Sequence, residues 1–315
     1  MPELHVLDRA AVLAAVTPAV AIEVVREAFL AHHRGEWVMP SKVYLQVPPH
    51  GDFRAMPARG GDLAILKWIS SWPSNAARGL PSVMGVVIVN DARTSEPLMM
   101  LDAGAVTALR TGAVAAIAAQ ALAAPDARTV GIVGCGEHGA WVARCMATAG
   151  YGPGICHDPR PEVAEALARE LGWTAGSRTD ALACDVICCV TPGFEVVVDL
   201  GDLKPGRHLN MLGADGPGKA EATTGVVASC ALFCDEWAQA SHGGELTGAF
   251  EAGLIQREQV TDLGAVLAGE ATGRRGPEAV TLFDSTGLAI QDLAIAAAAL
   301  GVFRAGGVEA QTVRL

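Results

Sequence analysis

Aromatic residues make up only 5% of this 315-residue chain and charged residues only 18%. With 51% hydrophobic residues, so little charge excludes a disordered chain and leaves ample material for a core. Basic residues are also scarce, 23 against 34 acidic ones for a formal net charge of −11. That deficit excludes the broad basic face that phosphate neutralisation on nucleic acid requires. It leaves room for a local basic pocket around a small anion. No run of about 18 uncharged apolar residues exists, so no membrane span is expected. The most apolar stretch, from Ala103 to Pro125, carries Arg110 in its middle. The start, Met1-Pro2-Glu3-Leu4-His5, lacks a basic region followed by an apolar one, so no signal peptide is expected. The eight cysteines include no Cys-x-x-Cys pair. They read as buried, reduced thiols of a cytoplasmic protein, not as a disulfide or zinc framework, and no metal site is expected.

What is abundant is glycine, 36 residues, which suits an α/β protein with tight turns and close helix–sheet contacts. At this length one large domain or two moderate ones are expected. Thr17-Pro18 reads as a helix start and Gly35 as its end, with Val20, Val24, Ala28 and Ala31 as the apolar face. Residues 42–101 change to strand texture: 43–47, 63–70, 83–90 and 98–101, with a turn at Asp91-Ala92-Arg93-Thr94. An alanine-rich helix over 104–124 precedes Pro125-Asp126-Ala127-Arg128, a candidate linker. From Thr129 strands (129–133, 154–157, 186–190, 208–212, 232–234) alternate with helices (139–149, 161–171), which predicts a parallel sheet covered on both faces. A final helix is expected over 291–300.

Gly134-Cys135-Gly136-Glu137-His138-Gly139 follows a strand and opens a helix, the context a dinucleotide fingerprint needs. Gly134 permits the sharp turn, Gly136 admits a pyrophosphate against the backbone, and Gly139 lets helix and strand pack closely. Asp158, about 20 residues on, stands where a carboxylate bonds adenosine ribose hydroxyls and repels a 2′-phosphate, which favours NAD. Arg160 beside it could contact a 2′-phosphate, which keeps NADP open. The alternative is a plain strand–helix turn.

Three cations sit among apolar residues upstream: Arg54, Lys67 and Arg110. A buried cation is costly unless an anion meets it. Each alone reads as an internal ion pair or a snorkelling side chain; together they point to a carboxylate-binding pocket.

These residues and later segments resemble the ornithine cyclodeaminase/mu-crystallin family. The matching segments are Ala55-Met56-Pro57-Ala58, Lys67 with Trp72-Pro73-Ser74-Asn75, Leu109-Arg110-Thr111-Gly112-Ala113, Gly134-Cys135-Gly136, residues 213–219, Gly243-Gly244-Glu245-Leu246 and residues 283–292. The resemblance implies an NAD(P)-binding Rossmann domain (126–289) and a mixed α+β domain for substrate and dimerisation (1–125 with about 290–315). It implies a homodimer that moves a hydride between a nicotinamide and C2 of a small amino or imino acid. The family's substrate pocket maps onto Lys42, Arg54, Lys67, Arg110 and Asp215, with Lys67 and Asp215 as catalytic candidates. Thr111 should lie near the pyrophosphate. Val190, Thr191 and Ser285 belong near ribose or nicotinamide, and Met211 and Gly213 complete the cofactor set. His138 stands where Gln is common, and Ser95-Glu96-Pro97 replaces a common hairpin Gly.

Asp215 also reads as a helix N-cap ahead of Gly216-Pro217, Lys219 as a solvated surface charge, and Glu245 as part of a turn or a salt bridge. His32-His33 reads as complementing a helix dipole, or as a second anion contact. Three functions compete: an amino-acid dehydrogenase or imino-acid reductase of alanine or iminosuccinate type; an ornithine cyclodeaminase making proline and ammonia with bound NAD; and a non-catalytic NADPH-binding protein. Arg110-Thr111-Gly112-Ala113 favours the first. Because Arg54, Lys67 and Arg110 suffice for one carboxylate, Lys42 is spare and a dicarboxylic imino acid becomes attractive.

Overall fold

The computed structural model describes residues 3–314. The chain forms two compact units, one running up to Arg110 and resuming at Leu288, the other Thr111–Gly287. The division falls inside a helix, upstream of the Pro125–Arg128 connection, and again just before the C-terminal helix.

The first unit opens with β1 (Glu3–Leu7), α1 (Arg9–Ala15) and α2 (Pro18–His33). Thr17 caps α2 through Val20 N at 3.4 Å and Pro18 fills its first turn. The buried face of α2 is Ala21, Val25, Ala28, Phe29 and Ala31; Ala28 and Ala31 are buried as expected, whereas Val20 and Val24 are half-buried and the stripe is displaced by one residue there. The displacement has a packing cause: Phe29, the largest apolar side chain of the helix, takes the core position. At the end of α2, His32 Nδ1 lies 2.9 Å from the carbonyl of Trp37, a local tie within the turn.

Strands β2 (Val43–Val47), β3 (Gly51–Gly60), β4 (Leu63–Ser71), β5 (Val83–Asp91) and β6 (Pro97–Asp102) form an antiparallel meander. At the β5–β6 turn Asp91 Oδ1 accepts from Arg93 N and Thr94 N, and Ser95 adopts φ 64° where glycine would be unstrained. Alternation runs along most of the meander, interrupted at Ser70 and at the Val89/Asn90 register shift. Arg54, Met56, Ala58, Ile65, Lys67, Ile69, Val87 and Val89 point to one buried face. Phe53, Leu66, Trp68 and Met84 point to the other.

Helix α3 (Ala103–Leu122) starts against a cap by Asp102 Oδ1 on Ala105 N. It is long and apolar enough to cross a bilayer, yet 83% of its most apolar window is buried within the protein, as in a core helix.

The second unit then alternates β7 (Val130–Val133), α4 (Glu137–Thr148), β8 (Gly154–His157), α5 (Pro161–Leu171), β9 (Thr174–Ala175), α6 (Arg178–Leu182), β10 (Val186–Cys189), β11 (His208–Met211), α7 (Thr224–Ala228), β12 (Ala231–Cys234), α8 (Trp237–Gly243), α9 (Thr247–Glu251), β13 (Val260–Asp262), α10 (Leu263–Leu267) and β14 (Thr281–Asp284). The sheet is parallel, ordered β13-β12-β14-β11-β10-β7-β8-β9. From β7 the chain runs outward through β8 and β9 on one side and through β10 and β11 on the other, with β14 inserted between β11 and β12, so a switch point lies between β7 and β10, where open α/β sheets bind ligands at their carboxyl edge.

The chain ends in α11 (Ala289–Arg304) and β15 (Gln311–Arg314), both in the first unit. The first sheet is thus ordered β15-β1-β6-β5-β4-β3-β2, with β1 parallel to β6. Helix α11 covers the buried face of β3, β4 and β5 and packs on α2. The Rossmann-type unit and the mixed α+β unit agree with the expected fold class.

Candidate functional site

In the first unit, β3, β4, α3 and α11 bring three cations to one interior. Lys67 is 1% exposed, and its Nζ donates to Asp292 Oδ1 at 2.8 Å; Asp292, in the first turn of α11, is 0% exposed. Arg110 Nε lies 3.8 Å from the same oxygen, too far for a hydrogen bond. Arg54 pairs with Asp52 at 2.6 Å and its guanidinium stands 5.3 Å from the Tyr44 ring centroid. Burial pushes the Lys67 ammonium down to about 8; Asp292 pulls it up, while the charges of Arg110 and Arg54 push it further down. Arg110 Nε, Asp292 Oδ2 and the Gln291 amide are buried without a hydrogen-bond partner among the described residues. Lys42 is half-buried, just ahead of β2.

In the second unit the remaining residues line the carboxyl edge of consecutive strands. Gly134 (φ 96°) leaves β7; a Cβ there would lie 2.6 Å from the carbonyl oxygen of Val190. A Cβ on Gly139 would lie 1.8 Å from the Gly134 carbonyl oxygen, so only glycine lets α4 start so close to β7. Gly136 is the N-cap of α4 and supplies no side-chain cap, and its open side meets nothing nearer than an Arg160 nitrogen at 4.0 Å. A helix start and clear space at Gly136 fit a pyrophosphate. Glu137 is exposed and His138 half-buried in the first turn. Thr111 is buried beside Gly112, where a Cβ would sit 2.5 Å from the Trp141 carbonyl oxygen, so α3 and α4 pack backbone to backbone.

Asp158, ending β8, accepts from Cys135 N at 2.9 Å and from Arg160 N, Nε and Nη2. Burial raises its carboxyl, but these bonds outweigh burial and hold it below the usual range. Next along the edge come Val190 and Thr191 after β10, Met211 and Gly213 at the end of β11, and Ser285 after β14, whose N donates to Met211 O at 3.0 Å.

Asp215 is no helix cap: no helix follows it, and Lys219 donates to its Oδ1 at 2.7 Å. Lys219 is accordingly not a solvated charge; it is 13% exposed and lies over the Phe194 ring.

Sequence reasoning overlooked Asp292, although an acid in an otherwise apolar helix carries the same signal that singled out Arg110. It also overlooked Glu221, Asp235 and Asp284, which with Glu245 frame the second unit. Glu221 accepts from Thr191 N, Leu212 N and Gly213 N at 2.7, 3.1 and 2.7 Å. Glu245 accepts from Glu221 N and Ala222 N, so it carries a turn and not a salt bridge. Asp284 accepts from Leu246 N, and Asp235 from Thr286 Oγ1 and Gly287 N. Burial first, then neighbouring carboxylates, pushes Glu245 up to about 8 and Asp284 well above the usual range.

The family model for the ornithine cyclodeaminase/mu-crystallin family matches residues 3–301. An alanine dehydrogenase from Archaeoglobus fulgidus is 38% identical over 283 residues, 88% of each chain. An iminosuccinate reductase from Paracoccus denitrificans is 35% identical over 251 residues, 78% of each chain. Among solved structures, an archaeal alanine dehydrogenase dimer with bound NAD superposes with a TM-score of 0.94 at 36% identity over 99% of both chains. With a fingerprint in its expected context and a match over nearly its whole length, the chain belongs to the ornithine cyclodeaminase/mu-crystallin family.

Proposed function

We propose that the protein is an NAD-dependent amino-acid dehydrogenase or imino-acid reductase acting at C2 of a small 2-amino or 2-imino acid. The observation that carries this reading is the buried Lys67–Asp292–Arg110 cluster in a chain that also holds a glycine-rich strand–helix turn. Arg110, with Nε unmatched, grips the substrate carboxylate, and Arg54 adds charge. Lys67, with its ammonium brought down to about 8, exchanges a proton with the substrate nitrogen near neutral pH. Asp215 orients the amine, its charge balanced by Lys219.

Gly134, Gly136, Glu137, His138 and Gly139 hold the pyrophosphate with Thr111 alongside. Val190, Thr191, Met211, Gly213 and Ser285 hold the ribose and nicotinamide end. When bound, NAD supplies the hydride acceptor or donor. Asp158, ionised and facing the glycine loop, selects NAD; Arg160 is the residue through which NADP would be admitted. A cyclodeaminase reading is weaker here, because ornithine would need an acid for its terminal amine as well, and the one evident, Asp215, is assigned to the amine at C2.

The outer face of β2–β5 exposes Val43 (63%), Leu45 (56%) and Trp68 (38%), an apolar patch of the kind that marks an interface. We assign it to a second copy of this chain, in line with the dimer of the archaeal relative. Light scattering should give twice the mass of one chain, and Trp68→Glu should give monomers.

The test of function follows NADH with alanine, aspartate and ornithine, and with the matching oxo acids plus ammonia. Net NADH change supports the proposal. Proline formed without net change would replace it with a cyclodeaminase, and cofactor binding without any turnover with a binding protein.

A further inference from the structure

We propose that the buried pocket of the first unit is built for a substrate with a single carboxylate, because Asp292 already neutralises a cation that a second substrate carboxylate would need. The inference rests on reading this cluster as the substrate pocket.

Counting cations in the sequence favours a dicarboxylate; counting them with their partners does not. Of the three buried cations, Lys67 is hydrogen-bonded to Asp292 at 2.8 Å and Arg54 to Asp52 at 2.6 Å. Only Arg110 keeps a buried donor, Nε, without an acceptor, its nearest carboxylate oxygen being 3.8 Å away. Within the buried cluster, three cations and two anions leave one positive charge, which one substrate carboxylate balances; Lys42, only half-buried, already has a partner of its own and is not spare. A second carboxylate would enter a water-poor interior beside the unpartnered Asp292 Oδ2, where like charges repel strongly. It would have to take up a proton or displace Asp292 from Lys67. Lys67 is 1% exposed and Asp292 0% exposed, so neither side chain has solvent to swing into. Asp292 therefore acts as a specificity-determining residue: it neutralises Lys67 from within, so the substrate need not.

The experiment compares pyruvate with oxaloacetate, each with ammonia, in the wild type, Asp292→Asn and Asp52→Asn. Calorimetric binding of pyruvate and of oxaloacetate to the NAD+-loaded protein runs in parallel. The wild type should use and bind pyruvate at least tenfold better than oxaloacetate. Asp292→Asn keeps the side chain's shape but removes its charge, and should narrow that ratio about tenfold, mainly through a lower KM for oxaloacetate. A merely structural Asp292 would lower both substrates equally and leave the ratio alone. Asp52→Asn, on another element, tests the same balance at Arg54 if Asp292→Asn does not fold. Oxaloacetate bound as tightly as pyruvate by the wild type overturns the inference, whether or not either is turned over. So does an unchanged ratio in the folded variants. Binding with the expected preference but without NADH turnover would overturn the enzymatic reading and leave this one standing.

Discussion

Each unit buries charge, and each does so differently. The first unit buries cations and meets them with side-chain carboxylates: Lys67 with Asp292, Arg54 with Asp52. The second buries acids and meets them largely with backbone N–H groups and hydroxyls: Glu221, Glu245, Asp284 and Asp235 each tie down chain at the carboxyl edge of the parallel sheet. A carboxylate that accepts several N–H bonds, as Glu221 and Glu245 do, fixes loop geometry and leaves little for a ligand; Asp284, whose Oδ1 is buried without a partner among the described residues, is the exception. An ion cluster with an unmatched Arg110 Nε and Asp292 Oδ2 is incomplete, which suits a pocket that an anion finishes. One region is a frame and the other a socket.

The largest effect should follow from emptying the socket. Lys67→Met leaves Asp292 buried with only Arg110 nearby. Breaking one side of a buried pair costs about 3–5 kcal/mol, and losing the proton-handling group costs a further ~10²–10⁴ in rate. The double variant Lys67→Met with Asp292→Leu should regain most of the stability, because apolar replacements of a buried pair are often neutral. It should regain none of the activity. Thermal melts beside kcat/KM measure both; a double variant as unstable as the single one would show that the pair holds the unit together.

The frame should answer in the opposite way. Glu221→Ala orphans the N–H groups of Thr191, Leu212 and Gly213. At about 1–3 kcal/mol each, the loss is at least ~3 kcal/mol, or roughly 6 °C or more in Tm. Glu221→Gln keeps one accepting oxygen and should lose about a third of that. No partner substitution should restore stability, since the partners are backbone.

The socket was half legible in the sequence. A lone cation in an apolar segment is conspicuous, and Arg54, Lys67 and Arg110 do converge. Their partners were harder to read, because Asp292 lies 225 residues from Lys67 and enters on a helix that returns from the far end of the chain. The frame was legible only where glycine spacing imposes it: the β7–α4 turn stands where the fingerprint put it. Glu245 was read as part of a turn, but Glu221, Asp235 and Asp284 were missed because an acid bound to backbone leaves no pairing pattern in sequence. β14 was missed as well. Its Thr-Leu-Phe-Asp is short, and its insertion between β11 and β12 is a long-range choice that no local periodicity records. β3, the strand carrying Arg54, lacks apolar alternation because its inward positions include that cation and its partner strand is needed to see the pleat.

A third prediction separates ligand binding from framing within one helix. Arg110 and Thr111 are neighbours in α3, on either side of the division between units. Arg110→Ala should cost ~2–4 kcal/mol in kcat/KM by removing a charged partner of the substrate, with NAD affinity within about threefold. Thr111→Val should do the reverse, weakening NAD and sparing substrate KM. Fluorescence titration of NADH and steady-state kinetics distinguish them; equal damage to both constants from Arg110→Ala would make Arg110 structural.

The last effect is a pH slope, and it differs in sign between the two regions. Glu245 is raised from its ordinary 4.5 to about 8, by burial first and by the Glu221 charge second. Between those values the folded protein holds a proton that the unfolded chain has released. Stability contributed by this group is therefore full below pH 4.5 and is lost as pH rises toward 8. Lys67 is lowered from 10.5 to about 8, so between pH 8 and 10.5 the unfolded chain holds the extra proton and stability rises with pH. Glu245→Gln keeps an acceptor for Glu221 N and Ala222 N while removing the titration. Its Tm, compared with that of the wild type, should gain ground steadily from pH 5 to pH 8, by a few degrees for each ~1 kcal/mol, and hold level beyond. Lys67→Met should leave that acid-side slope intact and flatten the wild type's recovery above pH 8. A Glu245→Gln profile parallel to the wild type from pH 5 to 8 would mean that this carboxyl titrates normally and that the frame is held by ionised acids. The contrast between frame and socket would then reduce to which partners each charge has, with no difference in how the two regions respond to protons.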